Sequence, residues 1–530
     1  MPLRSHSLVM TNRLVAVGRL ATALLLVLPT AAAAADDGTL LDAAAAGDVA
    51  AVRDLLAAGH DVDLAGSDGT TPLLWAVYAG DLETVDTLIR AGAGVSTANG
   101  LGVSPVYLAA SNGDAAILER LLDAGADADA MDATGDTVLM AAVRTGSPET
   151  VRLLLDGGAQ VGASDPELGH TALMWAVRMN QPRIIRMLLD AGASVAAATR
   201  VGPTPDVRPP GAGGGSHGVG IVRSGVPPQG EQLPTPGGMT PLLFAARDGH
   251  LDAARLLVEA GADLNRPDPN GLTPLLMAIT NNHLSVAAFL LGEGADPNLP
   301  DWYGRAPLWA AVEIRNLDLR SGATDNGVDR EAALRLIETL IDLGADVNAR
   351  VQEFPPQRRY MLPLGSLEWV DFTGQTPFIR AAQSGDVTVM RLLLATGADP
   401  RITTFNGTSA LMAAAGVNWV IGQTYRESPD VWIEGVRLCL DLGLDVNAVN
   451  DMGLAAVHGA ANRGSDDVIE LLAAHGARLD LVDAEGRTPI TWAEGVFLAT
   501  NSPVAKPSTI ALLQRLLGQA AEAAIGSTQP

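Results

Sequence analysis

The stretch "MTPLLFAARDGHLDAARLLVEAGADLN", residues 239–265, decides the fold, because the chain repeats it with changes as "LTPLLMAITNNHLSVAAFLLGEGADPN" over residues 272–298. The prolines keep one period, and Pro241, Pro274 and Pro307 follow each other at intervals of 33 residues. A constant period of this length indicates that one small supersecondary unit recurs along the chain. The 530 residues are therefore predicted to form a long array of similar units.

A single copy predicts two short helices joined by a turn. Thr240 can accept a hydrogen bond from the free amides at a helix start, and Pro241 suits the first helical position. Gly249 allows the turn, and apolar residues at i, i+3 and i+4 spacing predict a second helix that ends at Gly261. One such unit cannot bury its apolar face alone, so neighbouring units have to stack.

The copies resemble the ankyrin repeat, through the pattern D-x-x-G-x-T-P-L-x-x-A, a G-H or G-D turn, and LL-x-x-GAD-x-N. The resemblance covers nearly all of the chain after residue 35. It implies an all-α ankyrin-repeat solenoid of about twelve helix-turn-helix units with finger-like turns and several insertions. The first and last units, which lack parts of the pattern, are interpreted as end caps. The units begin near residues 36, 68, 101, 134, 168, 238, 270, 303, 373, 406, 452 and 485.

The copies depart from the family pattern at one place. The histidine that often stands two residues after the proline is present only at His458. That histidine usually forms a hydrogen-bond bridge between neighbouring repeats. Because most copies lack it, we predict that apolar stacking joins the repeats instead. In this respect the chain is similar to exported bacterial ankyrin-repeat proteins. We expect the tryptophans one place further on, Trp75, Trp175 and Trp492, to be core residues rather than a ligand cage.

Interruptions of the repeat divide the chain. The largest, residues 199–237, is too rich in Gly and Pro for a packed element. A flexible flap, a divider between two sub-arrays and a disordered loop are all compatible with this insert.

The predicted organisation of the whole chain is a signal peptide at 1–35, ankyrin repeats 1–5 at 36–198, the Gly/Pro-rich insert at 199–237, repeats 6–8 at 238–350 with an insert in repeat 8, a further insert at 351–371, repeats 9–12 at 372–524 with inserts in repeats 10 and 12, and a tail at 525–530.

The later inserts are the predicted partner-binding region. Three of them, at 315–332, 416–435 and 497–508, fall between the two helices of their repeats and should project from the same end of the stack. They and the insert at 351–371 bring aromatic and arginine side chains, which interface centres favour, into an acidic chain. Alternatively, these side chains only pack the inserts onto the scaffold. The predicted partner-binding residues are Trp309, Arg359, Tyr360, Trp369, Trp419, Tyr425 and Trp432.

Catalytic chemistry finds little support in the sequence. No HExxH, no GxSxG and no His/Cys pair at metal-ligand spacing occurs, and the histidines fall singly at repeat positions or in the Gly-rich insert. The one cysteine, Cys439, lies among apolar helical positions and is predicted to be a small buried hydrophobe. We therefore predict no enzyme activity, no cofactor and no metal.

The first 35 residues resemble a secretory signal. Arg4, Arg13 and Arg19 precede or flank a short apolar run that ends in small residues before Asp36, and no acidic residue occurs. An uncleaved membrane anchor is the alternative, but the run from Leu20 is short for a membrane span. Cleavage predicts a protein of the periplasm or one that is secreted, without stable membrane insertion.

The acidic balance limits the partners. Removing three arginines and no acid takes the formal net charge from −25 to −28. Such a chain repels nucleic acid and anionic membranes, so we expect another protein, of basic character, as the partner of a monomer. The predicted function is a non-enzymatic scaffold or inhibitor in the cell envelope. A secreted effector that acts on another cell is the alternative, and an enzyme built on the inserts is the least favoured reading.

We expect the mature protein to begin close to Asp36, because signal cleavage follows a small residue such as Ala35. N-terminal sequencing of the protein purified from its native cell checks this. Recovery of the intact N-terminus in the membrane pellet would support the anchor instead.

Overall fold

The computed structural model describes residues 39–202, 237–317, 327–353, 372–418, 428–496 and 504–526. The predicted signal peptide at 1–35 lies outside the described residues, as do most of the inserts at 199–237 and 351–371. The described residues fall in two compact units, divided between Ala130 and Met131.

Twenty-four helices occur in the described residues, two in each of twelve repeats, and this confirms the predicted all-α fold. Odd-numbered helices are the first and even-numbered helices the second of each repeat. The first unit contains α1 (Leu40–Ala46), α2 (Val49–Ala57), α3 (Pro72–Ala79), α4 (Leu82–Arg90), α5 (Pro105–Asn112) and α6 (Ala115–Asp123). The second contains α7 (Val138–Thr145), α8 (Pro148–Asp156), α9 (Ala172–Arg178), α10 (Pro182–Asp190), α11 (Pro241–Asp248), α12 (Leu251–Glu259), α13 (Pro274–Thr280), α14 (Leu284–Gly292), α15 (Pro307–Arg315), α16 (Arg330–Asp342), α17 (Pro377–Ser384), α18 (Val387–Ala395), α19 (Ala410–Ala415), α20 (Pro429–Asp441), α21 (Ala456–Arg463), α22 (Asp466–Ala474), α23 (Pro489–Gly495) and α24 (Pro507–Gly526).

Within each unit the helices form two layers. Each first helix packs against the first helix of the next repeat, and most second helices pack against the next second helix, α16 and α18 being the exception. Leucine, valine, isoleucine and alanine fill the space between the layers, and many of them are fully buried. In the described residues, extended pairing is limited to two isolated bridges, Met131 with Thr137 and Ser164 with Thr171. The apolar faces of the repeats are thus buried by their neighbours, as the repeat pattern predicts.

The predicted helix starts are present. In nine first helices after α1, a Thr or Ser side chain accepts a hydrogen bond from the amide three residues on, at 3.2–3.3 Å. This bond satisfies one of the free amides that every helix start leaves. Six of the nine caps precede a proline at the first helical position. The capping residues are Thr71, Ser104, Thr137, Thr171, Thr240, Thr273, Thr376, Ser409 and Thr488.

Polar bridges join neighbouring repeats in addition to the expected apolar stacking. Asn447 of the GAD-x-N pattern donates from Nδ2 to the carbonyl of Gly476 at 3.0 Å, and its Oδ1 accepts from the amide of Arg478 at 2.7 Å. Asn298 and Asn348 make the same pair of bonds to the repeats that follow them. The contacts between repeats are therefore both apolar and polar, and the prediction of apolar stacking alone was incomplete.

Histidines also bridge repeats. His458 accepts at Nδ1 from the amide of Ala455 at 3.0 Å, and its Nε2 lies 3.2 Å from the carbonyl oxygen of Leu481, in the turn that leads from α22 to the next repeat. His250 and His283 contact the first-helix carbonyl oxygens of the preceding repeat, at 3.3 and 2.9 Å. Burial lowers the pKa of both His283 and His458, so the neutral ring is favoured in the folded chain.

Repeats 5 and 6 pack directly against each other although the insert at 199–237 separates them in sequence. Helix α9 contacts α11, and α10 contacts α12. The two ends of the insert meet, since the amide of Thr199 donates to the carbonyl of Met239 and the amide of Gly238 donates to the carbonyl of Thr199, both at 3.1 Å. The stack of first helices therefore continues from repeat 5 to repeat 6, and the insert does not divide it.

Two predicted insert boundaries are wrong. The insert in repeat 8 was expected over 315–332, but Arg315 ends α15 and Arg330 already begins α16, with Asp329 as its cap. The insert in repeat 10 was expected over 416–435, but Pro429 begins α20. The ends of both inserts are misplaced because these second helices have 13 residues rather than the usual nine, and the start in repeat 8 is misplaced because α15 extends to Arg315. The last helix also runs to Gly526, past the predicted end of the repeats at 524.

We expect Asn447→Ala to lower the free energy of unfolding by about 1 kcal/mol, because it removes two partly exposed hydrogen bonds between repeats 10 and 11. Urea unfolding followed by circular dichroism measures the change. The matched control is Asn462→Ala in α21, whose side chain makes no hydrogen bond in the described structure. Equal midpoints for both variants would show that the bridge does not stabilise the stack.

Candidate functional site

Only two of the seven predicted partner-binding residues belong to the described part of the chain. Arg359, Tyr360, Trp369, Trp419 and Tyr425 lie outside the described residues.

The remaining two predicted residues, Trp309 and Trp432, are buried, at 1% and 3% exposure. Trp309 lies in α15, and Trp432 lies in α20, where its indole N–H donates to the carbonyl of Ala414 at 2.5 Å. The guanidinium of Arg463 covers the Trp432 ring. Both tryptophans therefore pack inside the scaffold, which corrects their predicted surface role.

The first helices of repeats 8, 9 and 10 are buried along their whole length. A buried ion pair joins two of these repeats: the Nε of Arg315 lies 2.8 Å from Oδ2 of Asp386, and Arg330 approaches the same oxygen at 3.8 Å. Asp386 also caps α18 by accepting from the amide of Val389 at 3.3 Å. A buried carboxylate needs such partners, because an unpaired charge in the interior is strongly destabilising. This polar network links the end of α15 to the starts of α16 and α18.

Repeats 4, 5 and 6 leave the corresponding face partly open, and arginines and aromatic rings alternate there. We call this set the Arg–aromatic ladder: Arg144 of α7, Trp175 and Arg178 of α9, and Phe244 and Arg247 of α11. The three arginines each occupy the seventh position of their first helix, and the two rings each occupy the fourth. Because α9 packs between α7 and α11, equivalent positions of the three helices become neighbours.

The ladder is continuous. The guanidinium carbon of Arg144 lies 5.4 Å from the centre of the Trp175 ring, and that of Arg178 lies 4.7 Å from the same centre. Arg178 is also 5.5 Å from the centre of the Phe244 ring, over which Arg247 lies at 4.8 Å. Each of these spacings is within the range of a cation–π contact, which stabilises by about 0.5–1 kcal/mol at an exposed site. Arg178 is thus held between two rings.

Two of the three arginines have acidic partners. Arg144 forms a bidentate ion pair with Asp136, with one hydrogen bond at 2.8 Å. Arg247 binds Asp248 through bonds of 2.8 and 2.9 Å. Among the described residues, no carboxylate forms an ion pair with Arg178. The ladder therefore carries one cation in excess, on a chain with a formal net charge of −25.

His170 lies beside the ladder. Its ring centre is 5.2 Å from that of Trp175 and 6.0 Å from that of Phe244, and its Nδ1 lies 3.2 Å from Oδ2 of Asp165. Burial lowers the pKa of His170, and the positive charge of Arg178 lowers it further, although Asp165 acts in the opposite direction. His170 is accordingly a neutral neighbour of Arg178 at neutral pH.

Burial and the nearby charge of Arg247 lower the pKa of the Arg178 guanidinium itself, while the carboxylate of Asp248 opposes this shift. Arginine stays protonated in proteins even so. A partly desolvated cation interacts more strongly with an incoming anion than one in bulk water does. The arrangement can therefore bind an anionic group and offer aromatic contact area at the same place.

The ladder was not predicted, although the repeat positions of its arginines are visible in the sequence. Arg144, Arg178 and Arg247 recur at one repeat position, but two of them are separated by the insert at 199–237. Trp75 and Trp175 were expected in the core, but both are half-buried, Trp175 on this face. Trp492 is buried as expected, and its indole N–H donates to Asp483 at 2.9 Å.

Other kinds of site find no support in the described part of the chain. It holds no cluster of three His, Cys, Asp or Glu residues suited to a metal ion. Burial raises the pKa of the Cys439 thiol to about 12, which makes it a poor nucleophile. Within the same residues, every helix is too short or too polar to cross a membrane.

Comparisons with known proteins agree with the repeat pattern. A model of ankyrin repeats in three copies matches residues 40–132, 106–199 and 221–301, and a model of the single ankyrin repeat matches 373–405. Together they span more than half of the chain. Among solved structures, the chain is similar to the crystal structure of the human ASB11 ankyrin repeat domain. The identity is 25%, the match covers 49% of this chain and 100% of that one, and the TM-score is 0.38.

We expect the free energy of unfolding to fall as the pH drops below about 6.5, the ordinary pKa of histidine. The folded chain lowers the pKa of His170, so the unfolded chain binds more protons in this range, and the stability present above pH 6.5 is lost on acidification. Urea unfolding at a series of pH values measures this loss, which His170→Gln should reduce. His475→Gln, which removes an exposed imidazole at the end of α22, is the control. An unchanged pH dependence in His170→Gln would contradict the assignment.

Proposed function

Because this chain belongs to the ankyrin repeat family, we propose that it acts without catalysis, as a scaffold that binds another protein through the first-helix face of repeats 4–6. The Arg–aromatic ladder is the observation that carries the proposal. Four of its side chains, Arg144, Trp175, Arg178 and Arg247, are half-buried, and they surround the buried ring of Phe244. Contacts among the rings and guanidinium groups hold these side chains in place.

Binding hot spots favour this composition. Tryptophan and arginine supply much of the free energy at protein interfaces, because they combine large contact area with directional hydrogen bonds. In the ladder, Trp175 and Phe244 restrict the arginine side chains through stacking. A partner therefore meets groups that have already lost much of their rotamer freedom, and this reduces the entropic cost of association.

The charge distribution favours a basic protein as the partner. The chain has 60 acidic and 35 basic residues, so its long-range field attracts a basic surface and repels nucleic acid. The ladder then supplies local contacts of a different character. We propose a monomer that acts in the periplasm or outside the cell, where the N-terminal 35 residues would direct it, as a scaffold or inhibitor of its partner. A secreted effector would carry the same N-terminus and would be recovered from the culture medium.

The test is crosslinking in the native cell, followed by purification of the chain and identification of its partner by mass spectrometry. We expect one stoichiometric partner with the wild type and about tenfold weaker capture with Arg178→Gln, because a central interface arginine contributes more than about 1.4 kcal/mol to binding.

The matched control is Arg183→Gln, which removes an exposed arginine from α10 of the same repeat and leaves the ladder intact. Capture should equal that of the wild type. Equal capture by the Arg178 variant, or no captured protein at all, would contradict the proposed binding surface.

A further inference from the structure

We propose that Arg178 binds a single carboxylate group, supplied by an aspartate or glutamate of the partner. The inference rests on the proposed protein-binding function and identifies the chemistry of its central contact. It concerns the one arginine of the ladder that lacks a carboxylate partner among the described residues.

Among the described residues, the guanidinium N–H groups of Arg178 make no hydrogen bond and no ion pair. The rings of Trp175 and Phe244 lie 4.7 and 5.5 Å from its guanidinium carbon, and arginine commonly contacts aromatic rings through the flat faces of the guanidinium. The five N–H groups lie in the guanidinium plane and are directed away from its faces. Two of them match the two oxygens of a carboxylate, which is the bidentate geometry that arginine favours.

The local charge fits one negative charge rather than two. Arg144 and Arg247 are neutralised by Asp136 and Asp248, so Arg178 alone is left to balance an incoming anion. A phosphate ester carries about −1.5 to −2 at neutral pH and would keep an uncompensated charge near these two carboxylates. A carboxylate carries −1 and is balanced by Arg178.

Partial burial strengthens the contact. The Arg178 side chain is half-buried. Burial lowers the pKa of the neighbouring His170, so His170 is neutral and adds no second positive charge that would attract a more highly charged group. An ion pair in such surroundings is less screened by salt than one at an exposed position. The occupant we infer is therefore an acidic residue on a partner surface that is basic overall. The acidic residue pairs with Arg178, and the basic surface around it is attracted by the negative charge of the rest of the chain.

The experiment uses the full chain and peptides selected against it from a random-peptide display library. Each selected peptide that contains Asp or Glu is synthesised together with its Asn or Gln counterpart, and both are titrated against the wild type, Arg178→Gln and Arg183→Gln by fluorescence anisotropy. We expect the amide counterpart to bind the wild type and the Arg183 variant about tenfold more weakly, because a charge-assisted hydrogen bond contributes roughly 1.5–3 kcal/mol. Against Arg178→Gln the two peptides should bind alike.

The outcomes separate this inference from the function on which it rests. Some peptides could bind the wild type, bind Trp175→Ala more weakly, and still prefer the acid over the amide to the same extent in Arg178→Gln. This result would overturn the carboxylate assignment but would support the binding surface. Selected peptides that contain no acidic residue and still depend on Trp175 would also overturn the carboxylate assignment and support the binding surface. Failure to select any peptide that depends on Trp175 or Arg178 would count against both proposals. Circular dichroism of each variant, with the wild-type spectrum as the expected result, verifies that the scaffold is folded.

Discussion

The structure depends on the contact between neighbouring helix pairs. A first helix of seven or eight residues and a second helix of nine are too short to be stable in isolation. Their leucine and alanine side chains become buried only when the next pair packs on them, and each fully buried aliphatic side chain contributes about 1.5–3 kcal/mol. The small alanines in the first helices allow these helices to approach closely. Stability is therefore a property of adjacent repeats and not of any single one.

The same packing places the candidate binding residues. In a stack, one helix position of each repeat comes to lie beside the same position of the next, so residues more than thirty positions apart in sequence become neighbours. Arg178 and Arg247 are separated by the whole insert at 199–237, and Phe244 still reaches Arg178 because Thr199 and Met239 bring the ends of that insert together. A surface built in this way needs no special loop. It needs only side chains of suitable chemistry at one repeated position.

The fold could be predicted from the sequence because its determinants are local. Thr240, Pro241 and Gly249 each act on the backbone within a few residues, so the cap, the first turn and the break of α11 follow from the sequence order alone. The bridges of Asn447 and the ladder could not be predicted in the same way, because they depend on the register between repeats. The burial of Trp309 and Trp432 was missed for a related reason: the aromatic content of a segment does not show which face of a helix another part of the chain covers.

The central claim is that the partner contacts the first-helix face of repeats 4–6, and hydrogen–deuterium exchange of the chain with and without its captured partner tests it most directly. The account predicts slower exchange in peptides that contain α7, α9 and α11, with little change in α8, α10 and α12 on the other layer. Protection confined to the second helices, or to α20 and its neighbours in repeats 10 and 11, would contradict it.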